Sequence, residues 1–426
     1  QSGSDLSNIS TKATKQDDGT YRITGTKIWI GSGEHDLSEN IIHLVLAKVP
    51  GSPEGTKGIS MFIVPKFVVN DDSSLGGHNK VNCISIEEKL GIHGSPTCVM
   101  EYDGSVGYLI GEENMGLNYM FTTINEARIR AGGHGLACTS GALQGASQYA
   151  RDRVQGRPVG MTKEEAKDST IIDHADVRRT LMTIKSYLDA MRYMNYDNHL
   201  MLDLEYFAEG ELKDFGKERC GILTPITKAW ISDLSVELTS MAIQVYGGMG
   251  YVEETGIAQY FRDARIAPIY AGTNGIQAED LVFRKITLND GKAVESLLKE
   301  MRTNISSMKE HENLEPLSEI LERHVAEIEE ATQYLLKELG KGNLAGVSAS
   351  GTPYLKMFGQ VLGGHYMGKA AVTATKNLLE DNTEFYNDKF TLSKFYIEQL
   401  LPLASSYFSS VMLGKENLYS IDSNSF

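Results

Sequence analysis

Between Tyr21 and about Tyr102, apolar positions alternate with polar ones or form short runs: Tyr21-Arg-Ile-Thr, Lys27-Ile-Trp-Ile, then 41–47 and 61–64, with Gly, Pro, Asn and Asp clusters between them. Period-two patterning broken at such intervals predicts antiparallel strands, and so an all-β module of about 100 residues. After Gly116 the period changes to about 3.6. Leu117, Phe121 and Ile124 begin one helical stripe, followed by small residues (Gly132, Gly133, Gly135, Ala137) that let a neighbouring backbone come close. Val177, Leu181, Ile184, Leu188 and Met191 form a second stripe, and Trp230, Leu234, Leu238, Met241 and Val245 a third. Each predicts a helix with one buried face. Residues 157–169, rich in Pro, Gly, Lys and Glu, read as a loop joining antiparallel helices. Past Lys285, the stripe Leu317, Leu321, Val325, Ile328, Ala331, Leu335 predicts another helix, with more at 355–366 and 392–412 and a Gly/Ser/Ala-rich break at 340–352. No repeat is visible that would indicate a solenoid. The expected fold class is α+β and mostly helical: an antiparallel β module (1–110), a helical bundle (111–286) and a further helical C-terminal domain (287–426).

Composition narrows the class. With 41% apolar and 23% charged residues over 426 positions, the chain is neither disordered nor fibrous. Its apolar runs are far shorter than the roughly 20 residues a spanning helix needs, which predicts a soluble protein with no membrane span. Lys and Arg number 41 against 56 Asp and Glu, a net charge of -15 that repels a phosphate backbone and argues against nucleic acid as a partner. Four cysteines (Cys83, Cys98, Cys138, Cys220) without a CxxC pair suit a reducing, cytoplasmic compartment. The opening QSGSDLSNIS has neither an initiator Met nor a signal-like apolar stretch, so the chain reads as a piece of something longer.

Four segments carry the chemistry: Lys27-Ile-Trp-Ile-Gly-Ser-Gly33; Glu126-Ala-Arg-Ile129 with Arg153-Val-Gln-Gly-Arg157; Gln244-Val-Tyr-Gly-Gly-Met-Gly250; and Ile269-Tyr-Ala-Gly-Thr-Asn-Gly-Ile-Gln277. Occurring in this order, they resemble the acyl-CoA dehydrogenase family, flavoproteins that introduce a trans double bond between Cα and Cβ of a CoA thioester. The resemblance covers residues 1 to about 285. The region 349–359 and its helices look like the C-terminal extension of the larger bacterial members, including the 3-methylmercaptopropionyl-CoA dehydrogenase group, and Glu88–Gly94 with Asn125–Arg128 point to the same branch.

The residues make physical sense beside that resemblance. An isoalloxazine is a flat, electron-poor plate, and Trp29 offers it an aromatic wall; a Trp on a strand is by itself more simply a core residue, and the flanking motif reverses that preference. Ile30 and Gly31 follow at the flavin edge, where the family uses a hydroxyl-bearing residue at the position of Gly31. Ser4, in the Ser-Gly-Ser-Asp run, matches a serine on flavin pyrophosphate and substrate. Arg153 and Gln155 match positions that meet the flavin nucleotide, conventionally from a neighbouring subunit, and so imply a homodimer or tetramer. Gln244, Gly247 and Gly248 form a turn after a helix whose glycines admit the adenosine part, though a Gly pair is also a common helix stop. Asn125 and Arg128 lie one turn apart on one helix face and match a substrate-binding pair.

The decisive run is Tyr270 to Gln277. Removing the weakly acidic α-proton of a thioester needs a carboxylate aimed at Cα and donors on the carbonyl oxygen. The family's glutamate for this task stands just before Gly-Thr, and here that position is Ala271. Its N–H remains for the thioester oxygen, with Gly272 on substrate and Thr273 and Gly275 on FAD. Some branches carry the base at the position of Ala127, also not acidic; Glu126 is one step off, about 100° round the helix. The family's N-terminal helical domain and its Thr-Glu-Pro element are absent from these 426 residues. The resemblance thus implies FAD-dependent dehydrogenation of an acyl-CoA (3-methylthiopropionyl-CoA or a short or medium fatty acyl-CoA), with an electron-transfer flavoprotein as acceptor. The alternative is a catalytically impaired paralogue that binds FAD or acyl-CoA, or an inactivated variant. The ten histidines show no metal-ligand spacing, no G-x-S-x-G elbow occurs, and Gly247-Gly-Met-Gly250 follows a helix and so is no dinucleotide fingerprint.

Overall fold

The period-two segments fold as strands: β1 (Lys12–Lys15), β2 (Tyr21–Gly31), β3 (Ile42–Lys48), β4 (Ile59–Pro65), β5 (Phe67–Val69), β6 (Leu75–His78), β7 (Val81–Ile86) and β8 (Thr97–Leu109). A computed structural model describes residues 3–379 and 383–426. Six strands join in the order β2-β1-β3-β4-β8-β7, and β2 also pairs with β8, so five of them close on themselves; β5 and β6 form a separate ribbon. Pairing is antiparallel except for β1 with β3, which meet in parallel at Lys12 and Lys48. The inward positions of the alternating strands, among them Ala13, Tyr21, Ile23, Val45, Phe62 and Met100, make a dry core.

The helical part comprises α1 (Gly116–Asp152), α2 (Ala175–Phe207), α3 (Gly210–Val245), α4 (Ile257–Ala264), α5 (Asn274–Asp280), α6 (Lys292–Lys309), α7 (Glu315–Gly340), α8 (Leu344–Leu378), α9 (Glu384–Phe395) and α10 (Ala404–Leu413). Two compact units result, Gln1–Ala127 and Arg128–Phe426, so the division falls within α1. In the second unit one apolar core runs from Ile129 to Val411 and draws on helices before and after Lys285 alike. The stripes read from sequence are its inner faces: Ile184 and Met191 on α2, Leu238 on α3, and Leu321, Val325, Ile328, Ala331 and Leu335 on α7 are fully buried. Phe121 on α1 stays exposed. After Gly116, burial on α1 resumes at Arg128 and Ile129, and Gly132 and Gly135 approach Thr227 and Ser235 of α3.

Two expectations are corrected. The break expected over 340–352 is confined to Lys341, Gly342 and Asn343, between α7 and α8; from Leu344 the small residues belong to the 35-residue α8. The Asn343 side chain caps that helix by accepting from the Gly346 N–H, and Gly351 lies beside Ala278 of α5. The region 392–412 is not one helix. A π-helical turn at Tyr396–Leu400 and a 3-10 turn containing Pro402, which has no N–H to donate, separate α9 from α10. Among the described residues, no helix is long and apolar enough to cross a membrane.

Candidate functional site

In the first unit, β2 carries Trp29. Strict alternation from Tyr21 and Ile23 would turn this residue inward. A register shift between Lys27 and Ile30 in the pairing with β8 intervenes, and Trp29 takes a left-handed backbone (φ 63°) that sends its ring out to 63% exposure. A bulge that re-aims a large aromatic away from an available core is a costly arrangement for a residue with no external role. Gly31 follows with open space where a Cβ would stand, and the N–H of Ser32 is committed to the Pro96 carbonyl at 2.8 Å. Ile30 and Gly31 help line a cavity of about 390 Å³ between the end of β2 and β3, together with Lys27, His43 and Leu44. The Lys27 ammonium donates to the Leu46 carbonyl at 2.6 Å, and its burial pushes the amine down to about 8. Ser4 is exposed, just before the Asp5-capped turn Leu6–Asn8. Asn125 is exposed on α1.

In the second unit, the loop from Pro268 to Thr273 holds two consecutive left-handed residues, Ala271 (φ 55°) and Gly272 (φ 82°). Glycine adopts this conformation freely, whereas alanine there is strained. The fully buried Gln277 amide donates to the carbonyls of Gly272 (3.2 Å) and, at longer range, Ala271 (3.4 Å), while Thr273 caps α5 by accepting from the Ile276 N–H. Beneath the turn, Arg128 is buried and pairs with Asp280 at 3.1 Å. Burial lowers the Arg128 pKa, and Asp280 opposes that shift. Tyr270 reaches α1, its hydroxyl 3.4 Å from Nδ1 of His134. Ala271, Gly272, Thr273, Gly275 and Arg128 are therefore brought together at one place.

The remaining second-unit candidates lie apart from that turn. Gln244 is exposed near the end of α3, and Gly247 (φ 57°) and Gly248 open the following 3-10 turn with nothing near the position of a Cβ. Beside them is a cavity of about 430 Å³ lined by Gly145, Tyr246, Tyr260 and Asp263. Arg153 and Gln155 are exposed after α1, joined by a 3.5 Å contact. Among the described residues, no group of three or more potential metal ligands converges.

Sequence reasoning placed Gln277 in the motif without a role, and missed the other groups that hold the turn: Asp280, Lys228 and Asp233. Arg128 and Asp280 are 152 positions apart, with no local signal linking them. Lys228 did leave one, as a lone cation in the apolar run Ile226-Thr-Lys-Ala-Trp-Ile231.

Sequence models of the acyl-CoA dehydrogenase middle domain, the acyl-CoA dehydrogenase C-terminal domain and the acetyl-CoA dehydrogenase C-terminal-like region match residues 1–105, 114–285 and 297–422. 3-Methylmercaptopropionyl-CoA dehydrogenase of Ruegeria pomeroyi is 39% identical over 414 residues, which is 96% of this chain and 70% of that protein. The broad-specificity linear acyl-CoA dehydrogenase FadE5 of Mycobacterium tuberculosis is 31% identical over 425 residues, 95% of this chain and 69% of its own. In fold, the chain is similar to the acyl-CoA dehydrogenase of Bacillus anthracis complexed with FAD, with a TM-score of 0.75 at 19% identity, covering 97% of this chain and 67% of that one.

Proposed function

Because the chain belongs to the acyl-CoA dehydrogenase family, we propose that it binds FAD and an acyl-CoA thioester and serves oxidation of the Cα–Cβ bond to a trans-2-enoyl-CoA, without a proton-accepting side chain at position 271. Likeness to the Ruegeria protein favours a small acyl group, 3-methylthiopropionyl or a short to medium fatty acyl. The observation that carries this reading is the 270–273 turn. Its left-handed residues, carbonyl clamps and cap surround a methyl group where the family has glutamate.

The residues present suit FAD. Trp29 offers an exposed aromatic face beside the open Gly31, with Ile30 adjoining. Gly247 and Gly248 leave open space where a Cβ would stand, next to Gln244. Ser4 in the first unit, and Thr273 and Gly275 in the second, are assigned to the cofactor, and Arg153 and Gln155 to the nucleotide of a neighbouring subunit, as polar groups on an otherwise acidic chain. When bound, FAD supplies the acceptor for the hydride equivalent leaving Cβ. The chain's own part is to bind and orient. The main-chain N–H of Ala271 serves the thioester oxygen, where negative charge develops as the α-proton leaves. Gly272, Asn125 and Arg128 are assigned to the substrate side. An electron-transfer flavoprotein as acceptor, a homodimer or tetramer, and a cytoplasmic location complete the proposal.

Anaerobic titration of the FAD-loaded protein with short and medium acyl-CoAs, following the oxidised flavin absorbance, tests it. Expected is binding with very slow bleaching, and a gain of about 10²–10⁴-fold in bleaching rate for Ala271→Glu. Prompt bleaching by the protein carrying Ala271 overturns the missing base. A second reading, a binding paralogue without turnover, is favoured by Ala271 itself and is selected if Ala271→Glu binds thioester yet remains inert.

A further inference from the structure

We propose that Lys228 is a positioning residue for the 270–273 turn, acting through Asn274 to hold Ala271 and Gly272 in the geometry that meets the thioester. This rests on the functional reading above.

Lys228 lies on α3 and is fully buried. Its Nζ donates to the Asn274 Oδ1 at 2.8 Å, and no direct carboxylate partner accompanies that bond among the described contacts. A buried ammonium with one polar partner is unfavourable for folding and would be replaced without loss by an apolar residue if it only filled space. Burial depresses the amine to about 8, with Asp233 pulling it up and Arg128 pushing it further down.

Asn274 makes this bond useful because it closes the loop twice. Its main-chain N–H donates to the Pro268 carbonyl at 3.1 Å, so residues 268 and 274 are tied across the turn. Its side-chain amide is fixed to α3 on both sides. Oδ1 accepts from Lys228 at 2.8 Å and, more weakly, from the Ser232 hydroxyl at 3.3 Å; Nδ2 donates to Asp233 Oδ1 at 2.7 Å, Ser232 Oγ at 3.0 Å and the Ala229 carbonyl at 3.2 Å. A donor-only ammonium on one side and a carboxylate on the other leave one orientation for the amide. Neither Asp nor Ser at 274 satisfies both. Lys228, Ala229, Ser232 and Asp233 occupy adjacent turns of one helical face, so α3 acts as a rigid rail for the loop. From the other end Gln277 grips the carbonyls of Ala271 and Gly272. Releasing the Lys228 end frees a strained left-handed alanine to relax, which moves its N–H away from any bound carbonyl.

The test compares wild type with Lys228→Met, Asn274→Ala and the double variant, all FAD-loaded and then ligand-free. Two readouts are used: hydrogen exchange of amides 270–276, and the affinity for an acyl-CoA analogue with sulfur in place of the β-carbon, which cannot be oxidised across Cα–Cβ. Expected for either single variant is about 10-fold or more faster exchange confined to 270–276 and at least 10-fold weaker analogue binding, with unchanged FAD stoichiometry. The double variant should be no worse than either single one, as for groups acting in series. If Lys228→Met does not fold, Asn274→Ala carries the same expectation with the lysine retained. Unchanged exchange at 270–276, or loosening spread equally through α2 and α3, overturns the inference. Wild type that binds the analogue beside variants that bind it equally well overturns it alone; wild type that binds neither FAD nor analogue overturns the family-based function as well.

Discussion

At the scale of single residues, each of the two units holds a charged or strained group that folding alone does not favour. Lys27 is an example outside the turn. Its amine is depressed to about 8 by burial from an ordinary 10.5, so between those values the unfolded chain holds the proton more tightly than the folded one. Stability therefore rises with pH from about 8 to 10.5, and the desolvation penalty is in force below 8. Lys27→Met is expected to raise stability at pH 7 by about 1–3 kcal/mol and to flatten that basic rise, as measured by urea unfolding at pH 7 and pH 9.5. Trp29 and Ala271 were both legible as candidate positions in sequence, since short motifs flank them. Their left-handed backbones were not, because a φ of 63° at a tryptophan depends on a register shift against β8 that no local pattern records.

At the scale of elements, α8 shows how composition misleads about helix limits. Its glycines look like breakers, yet they are where bulky neighbours lie against the helix backbone. A Cβ on Gly359 would stand 2.3 Å from Cγ of Trp230, and one on Gly363 would stand 2.3 Å from the Tyr396 hydroxyl. Alanine at an interior helix position normally gains about 1 kcal/mol over glycine. Here overlap with fully packed aromatic rings outweighs that gain, and Gly359→Ala is expected to destabilise by about 1–3 kcal/mol in thermal or urea unfolding. By contrast α2, α3 and α7 were legible because their stripes of Leu, Ile, Val and Met recur at helical spacing and meet a single core.

At the scale of the whole molecule, charge clusters tie distant helices together in ways that set its acid tolerance. Glu300 of α6 faces His365 of α8 at 3.5 Å and Arg219 of α3 at 2.6 Å, with Lys369 at 3.4 Å. His365 and Arg219 hold the Glu300 carboxyl well below the usual carboxylate range, against its desolvation. A depressed carboxylate contributes fully above its unfolded value of 4.5, and that contribution is lost as pH falls below it. Glu300→Gln is expected to lower stability by about 1–2 kcal/mol at pH 7, a modest figure because the side chain keeps some exposure, and to make acid unfolding below about pH 4.5 shallower. Circular dichroism across pH 3 to 7 measures both. The α+β class, the β module ahead of the helices and the family motifs were determined by the sequence alone, because apolar periodicity and short contiguous runs are local properties of a chain. Tertiary structure alone decided that Trp29 points outward, that Arg128 meets Asp280, and that Lys228 and Asn274 anchor the turn at Ala271. Those facts arise when residues tens to hundreds of positions apart are desolvated together, and pairing energies of buried polar groups are defined only once the backbone has brought them into reach.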